Sequence, residues 1–196
     1  MKSKVSHVIG LVLVLAIIIA GCAKDPFSMR HPNRPTGEQG TYKTPVDPQI
    51  ALDTNLYYAM IERNAGHYSQ SLADTFVYSF DFVLSGPPDS ALQWDRSEED
   101  RIVRNLFAGV SAINVTWAPA SGRSDRYEDS VATLYRTYVI DASIITPTDT
   151  TLTEYKGDMA VLLARNSQGL WWIVRWEDLH TGEGSAAWTD LKSRFR

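Results

Sequence analysis

The sequence predicts an α+β domain. Helices come first, long strands then form a strongly bent antiparallel sheet with the helices in its concave face, and a short helix closes the chain. Three observations carry that expectation. Apolar residues recur every three to four positions over residues 49–64 and again over 97–110. Beyond Ala112 the chain changes to long alternating segments bounded by turn residues. Helical and strand-like stretches are thus segregated, unlike the regular alternation of a parallel α/β fold.

The elements follow in order. In residues 49–64, Leu52, Leu56, Ala59, Met60 and Arg63 hold the helical spacing, Tyr57 and Ile61 widen the face, and Pro48 suits the first turn. Ala65 and Gly66 punctuate. A second short helix is expected over 67–76, and a strand over 76–84 with Phe76, Tyr78, Phe80 and Phe82 on one side. Residues 86–89, Gly-Pro-Pro-Asp, end it. Ser97, with Asp100 three residues on, resembles a capping box, and Ile102, Val103, Leu106, Phe107 and Val110 form the buried stripe of a third helix. Strands are expected over 113–118, 130–145, 150–165 and 170–179, with turns at Pro147 and at 166–169. Residues 186–195 close as a short amphipathic helix carrying Trp188 and Leu191.

Composition bounds the function. The chain has 196 residues, 44% hydrophobic and 21% charged, which is globular composition. Its net charge is −4, and with no basic block this argues against nucleic acid as a partner. The single Cys can form neither an internal disulfide nor a thiolate zinc cluster.

That Cys sits at a telling place. Lys2 and Lys4 precede a 13-residue apolar run, residues 8–20, too short to span a bilayer. The run ends in Ile19-Ala20-Gly21-Cys22, which resembles the bacterial lipobox. The resemblance implies a signal peptide over 1–21, lipidation of Cys22, and a multi-chain membrane anchor. Ala23 follows the Cys instead of Asp, which implies the outer membrane, facing the periplasm, if the host has two membranes. The 19 basic residues less Lys2 and Lys4 leave 17 against 23 acidic ones, a mature balance of −6. Residues 22–48 hold five of the nine prolines and read as a semi-extended tether reaching ~80 Å. The folded domain is expected over 49–196.

The last strand, Gly169-Leu170-Trp171-Trp172-Ile173-Val174-Arg175-Trp176-Glu177-Asp178, follows long strands and a leading helix with Tyr57 and Tyr58. Together with the Ala187-Trp188-Thr189-Asp190-Leu191-Lys192 tail, it resembles the nuclear transport factor 2-like superfamily. The resemblance implies a cystatin-like cone with a pocket between sheet and helices, and often a homodimer through the outer sheet face. That superfamily hosts isomerases, dehydratases and hydrolases alongside non-catalytic binding domains, so the fold does not choose the function.

The chemistry is correspondingly sparse. Only His67 and His180 lie in the domain, without metal-ligand spacing, so no metal site and no cofactor is expected. Neither a nucleophile elbow nor a phosphate loop is present. Acid–base work in a cone needs an acid in apolar surroundings and a hydroxyl to stabilise an oxyanion. Asp178, Asp141 and Asp81 lie on strands, and Tyr57, Tyr68, Tyr135 and Tyr138 offer hydroxyls. His180 shares a face with Asp178 if the strand continues. The catalytic candidates are therefore Asp178, His180 and Tyr57. The favoured reading is structural, with Asp178 pairing with Arg175 or capping the loop that follows and His180 exposed, since no residue matches a catalytic motif of the superfamily. All six Trp fall at or after Trp94, and aromatics build both apolar pockets and cores. Tyr57, Tyr68, Trp94, Tyr135, Trp172 and Trp176 are the pocket candidates. Alternation puts Trp172, Val174 and Trp176 on one face, and Trp171, Ile173 and Arg175 on the other, although one bulge would exchange them.

The sequence thus reads as a membrane-anchored bacterial lipoprotein with a non-catalytic domain that binds a small apolar or amphipathic molecule, or a protein partner, at the envelope. Two alternatives stand beside it: an isomerase, dehydratase or hydrolase using Asp178 and a tyrosine, and a dimeric assembly subunit without a ligand pocket.

Overall fold

The computed structural model describes residues 41–80, 92–145, 150–179 and 186–196. The leader, Cys22, most of the tether, Asp81, Phe82, the turns at 86–89 and Pro147, and His180 lie outside the described residues. The described part belongs to one unit, Gln39–Arg196. The end of the expected tether is built into it. Asn55 exchanges two hydrogen bonds with the Lys43 backbone, each 2.7 Å, and the Trp171 N–H donates to the Pro45 carbonyl at 2.8 Å. Prolines made this stretch look like a linker, yet carbonyls remain as acceptors where proline lacks a donor.

Asp47 Oδ1 accepts the Gln49 N–H at 2.7 Å and opens the first helix. α1 (Ile50–Leu56) has wide π turns and runs directly into α2 (Tyr57–Ile61). Ala51, Leu52, Leu56, Ala59 and Met60 are its buried stripe. Arg63 ends it in a left-handed conformation, φ 52°, donating from Nη1 to the Val110 carbonyl at 2.6 Å. Asn64 caps α3 (Ala65–Gln70), its Oδ1 accepting the His67 N–H at 3.0 Å. Ala65 and Gly66 are therefore inside a helix, and the break falls at Arg63 and Asn64.

β1 (Leu72–Phe80) starts four residues earlier than the alternation suggested, with Leu72, Phe76, Tyr78 and Phe80 buried. β2 (Leu92–Asp95) is a short strand set antiparallel to it, Trp94 opposite Tyr78. It is too short for periodicity to reveal. Asp95, the last extended residue, caps α4 (Arg96–Gly109) by accepting the Glu98 N–H at 2.9 Å. Ser97 already lies inside the helix and does not cap it. β3 (Val110–Pro119), β4 (Arg126–Tyr127), β5 (Val131–Ile145), β6 (Thr150–Arg165), β7 (Trp171–Leu179) and α5 (Trp188–Ser193) follow. None of the described helices is long and apolar enough to cross a membrane.

The strands form one sheet in the order β2-β1-β7-β6-β5-β3, with β4 beside β5. Five pairings are antiparallel, but β1 and β7 run parallel. The sheet is mixed, which corrects the expectation of a wholly antiparallel one. The β5-β6-β7 meander fixes its own directions through short connections. The β1–β7 pairing joins distant segments, and no local pattern sets its direction.

A bulge in β7 decides what faces inward. Leu162 pairs with Arg175 and Leu163 with Ile173, which leaves Val174 unpaired. One extra residue flips the alternation beyond it. Trp171, Ile173, Trp176 and Asp178 are all buried, while Trp172 is only half-buried and Arg175 is exposed. Trp172 and Trp176 therefore do not share a face, contrary to simple alternation.

Candidate functional site

The inward end of β7 carries Asp178, 2% exposed. Its Oδ1 accepts the Tyr138 hydroxyl at 2.5 Å. Its Oδ2 accepts both the Thr189 N–H at 2.7 Å and the Thr189 hydroxyl at 2.5 Å. Tyr138 comes from β5, directly opposite Gly157 of β6. A Cβ at position 157 would lie 2.6 Å from the Tyr138 hydroxyl oxygen, so glycine makes room for that hydroxyl. The same oxygen accepts the Trp188 N–H at 2.8 Å. Asp178 and Tyr138 thus receive the first N–H groups of α5, which no turn of the helix itself can satisfy. Burial and then the Asp178 charge push the Tyr138 pKa far above its ordinary value, keeping the phenol protonated. The Tyr78 hydroxyl, 3.0 Å from Thr189 Oγ1, extends the network.

A buried ion pair lies beside it. Glu99 of α4 and Lys192 of α5 are both fully buried, with Nζ 2.6 Å from Oε1. Glu99 Oε1 also accepts the Tyr68 hydroxyl, and Oε2 the Trp94 indole N–H, each at 2.5 Å. The ammonium is walled by aromatic rings, with centroids at 3.6 Å for Tyr78, 4.9 Å for Trp176 and 5.0 Å for Trp188. Ring faces attract cations most where water is excluded. Desolvation nevertheless outweighs the Glu99 charge and lowers the Lys192 pKa to about 8. The chain end fastens this plug from outside. Phe195 packs where a side chain at Gly109 would stand, and the Asn105 amide donates to the Phe195 carbonyl at 3.0 Å.

The candidates therefore separate. Asp178, Tyr68, Trp94 and Trp176 meet in the interior beneath α5. Tyr57 does not join them: its ring neighbours are Tyr58 and Trp117. Tyr135 is only half-buried and lies beneath the Arg123 guanidinium, 5.7 Å from its ring centroid, lining an outer groove with Arg123 and Arg175. Trp172 sits on the face opposite Trp176. Asp178 does not pair with Arg175, which reaches Glu177 at the surface. Four central residues are not among the site candidates of the sequence: Tyr78, Glu99, Thr189 and Lys192. Glu99 precedes Ile102 and Val103 by three and four positions, and Lys192 follows Trp188 by four. Opposite charges on two apolar stripes were the available signal.

A second feature is open to solvent. A groove of about 470 Å³ runs between the first helix and the end of β3, lined by Gln49, Asp53, Tyr57, Trp117, Asp125 and Arg136 among others. Arg136, half of an inward pattern on β5, is 3% exposed. Its Nε and Nη2 donate to Asp53 at 3.0 and 2.7 Å, and its Nη1 to Asp125 at 2.9 Å and to the Tyr135 carbonyl at 2.8 Å. Among the described residues, no group of three His, Cys, Asp or Glu could hold a metal ion.

No protein-family model and no curated protein matches the sequence. Solved structures match the fold. A candidate aromatic ring hydroxylase from Novosphingobium aromaticivorans aligns over 76% of this chain and 96% of its own, with 12% identity and a TM-score of 0.55. A candidate dehydratase of the nuclear transport factor 2-like family from Streptomyces avermitilis aligns over 69% and 96%, with 17% identity and a TM-score of 0.51. A candidate scytalone dehydratase from N. aromaticivorans aligns over 67% and 83%, with 9% identity and a TM-score of 0.52. The domain has the nuclear transport factor 2-like fold. Identities this low carry the fold and no activity.

Proposed function

We propose that this chain is a bacterial envelope lipoprotein, anchored through Cys22, whose domain binds a ligand or partner without catalysis. One observation carries the non-catalytic part: both oxygens of Asp178 are engaged by the chain's own Tyr138 and Thr189. A general base must reach a substrate proton, and here the approach is filled by α5, with Trp188 and Lys192 fully buried. The Asp178–Tyr138 pair works as the seat of a helix. Binding then falls to surfaces that remain open, foremost the groove of Tyr57, Trp117 and Arg136. The anchor rests on the lipobox-like residues before Cys22, and outer-membrane residence facing the periplasm rests on Ala23.

Two measurements test this. Labelled fatty acid should enter the wild-type chain in its host and not the Cys22→Ser variant; equal labelling would remove the anchor. Purified protein should show no enolisation or dehydration turnover above that of Asp178→Asn across a panel of cyclic ketones and hydroxy-ketones. Turnover abolished in an Asp178→Asn variant that circular dichroism shows to be folded would establish the enzyme reading instead, which draws on the same Asp178–Tyr138 pair. The assembly reading draws on the Trp-filled interior and is tested by the sedimentation mass of the soluble domain.

A further inference from the structure

We infer that the open groove is a site for an organic cation, an alkylammonium or guanidinium on an aliphatic carrier. This rests on the binding-domain reading and assigns its ligand class.

The charges of the groove do not balance. Arg136 is the only cation among the described residues lining it, and two carboxylates face it. The Asp53 side chain is 32% exposed and that of Asp125 18%, while Arg136 is 4% exposed. The guanidinium is consumed: Nε, Nη1 and Nη2 all donate to Asp53, Asp125 or the Tyr135 carbonyl. It has little left to offer an anionic ligand. Asp53 retains acceptor capacity, since each of its oxygens takes one bond from Arg136 and holds two lone pairs, whereas Asp125 is also engaged by the Tyr135 N–H and the Tyr127 hydroxyl and contributes its charge. Two carboxylates on one guanidinium leave a surplus negative charge in a partly desolvated wall, where a counter-charge has most effect.

The aromatic lining points the same way. Tyr57 and Trp117 stand 5.5 Å apart at 59°, making an angled wall. Aromatic faces attract ammonium and guanidinium groups and also pack against aliphatic carriers. The chain uses this combination internally, where Tyr78, Trp176 and Glu99 hold the Lys192 ammonium. In the interior the cation is the protein's own, whereas in the groove the carboxylates and rings are arranged with solvent on the open side.

The test uses the soluble chain without its leader and three probes: spermidine, a trilysine amide peptide, and 1,8-octanediol as the neutral control. Binding is followed by NMR shifts of the backbone amides of Tyr57, Thr116 and Ala118, which line the groove and persist in every variant, at low salt. Spermidine or the peptide should give saturable shifts centred on Trp117 and Tyr57, and the diol none. Preference between the two cations tells a free amine from a basic peptide side chain. Asp53→Asn and Trp117→Ala should each weaken binding by about tenfold. Because Asp53→Asn also loosens Arg136, the half-exposed Trp117 supplies the variant expected to fold normally, checked by circular dichroism. About 0.5 M salt should weaken the cations strongly. Absence of saturable shifts, equal binding of the diol, or unchanged affinity in folded Trp117→Ala would overturn the assignment. Those results leave the turnover assay untouched, so failure here is distinct from failure of the non-catalytic reading.

Discussion

Lys192 Nζ lies 2.6 Å from Glu99 Oε1, and neither side chain is exposed to water. The pair joins α5 to α4 through the space beneath the sheet that a ligand would otherwise need. Its seat is made of rings: Tyr78 and Trp94 stack at 4.5 Å and 9°, and Tyr68 and Trp94 donate to the carboxylate. The consequence is a cone whose interior is completed by its own C-terminal helix.

Removing one member of this pair should be severe. Lys192→Met leaves Glu99 charged and buried, at a cost of about 3–5 kcal/mol. The double variant Glu99→Gln/Lys192→Met, which removes both charges, should recover much of that loss. Urea denaturation of the three proteins gives the comparison. A single-variant loss below about 1 kcal/mol would show that the helix is not held by the pair.

The pair also sets a pH dependence. The Lys192 pKa is lowered by burial to about 8, from an ordinary 10.5. The unfolded chain therefore binds more protons than the folded one between these values, so stability rises with pH across that window. The gain is fully present above 10.5 and is lost as the pH falls through about 8. Tyr68 and Tyr78 act oppositely. Burial raises their pKa values well above 10.0, so the unfolded chain ionises first and stability falls above that pH. Thermal melts should show a rise from pH 8 toward 10 and then a decline. The rise should vanish in Glu99→Gln/Lys192→Met.

Asp178→Asn tests the helix seat directly. It replaces an acceptor-only group by an amide whose NH₂ faces the Thr189 donors or the Tyr138 hydroxyl. Loss of charge-assisted bonds should cost about 2–3 kcal/mol. Chemical denaturation measures it. A variant of unchanged stability would return Asp178 to the list of groups kept for chemistry.

The start of α4 offers a local comparison. Asp95→Ala should cost about 1 kcal/mol, because the Glu98 N–H loses its acceptor, and Ser97→Ala should change almost nothing. Reversed costs in thermal melts would place the cap at Ser97 after all.

How much of this was legible follows from the range of each interaction. Periodicity is local, so the first helix, α4, and the long strands β5, β6 and β7 stand in the sequence within a few residues of their observed ends. The cap at Asp95 and the stop at Arg63 were misplaced because several nearby residues could serve equally in those roles. β2 and the parallel β1–β7 pairing were hidden: a four-residue strand has no period, and pairing across most of the chain leaves no local mark. The face of each tryptophan was also hidden, because the bulge at Val174 exchanges Trp172 for Trp171 and Ile173 on the inner side without any signal in the alternation itself.

The sequence alone determined the fold class, the order of the main elements, and the stock of aromatics and acids from which a site could be built. Tertiary structure alone decided what that stock does. Asp178 becomes the seat of a helix because Thr189 and Tyr138 meet it from other elements. Lys192 and Glu99, 93 residues apart, become one buried pair. Tyr57 leaves the interior for an open groove with Arg136 and its two carboxylates. Helical and strand periods are set by each residue's near neighbours, whereas desolvation and charge pairing depend on which distant surfaces the fold brings together.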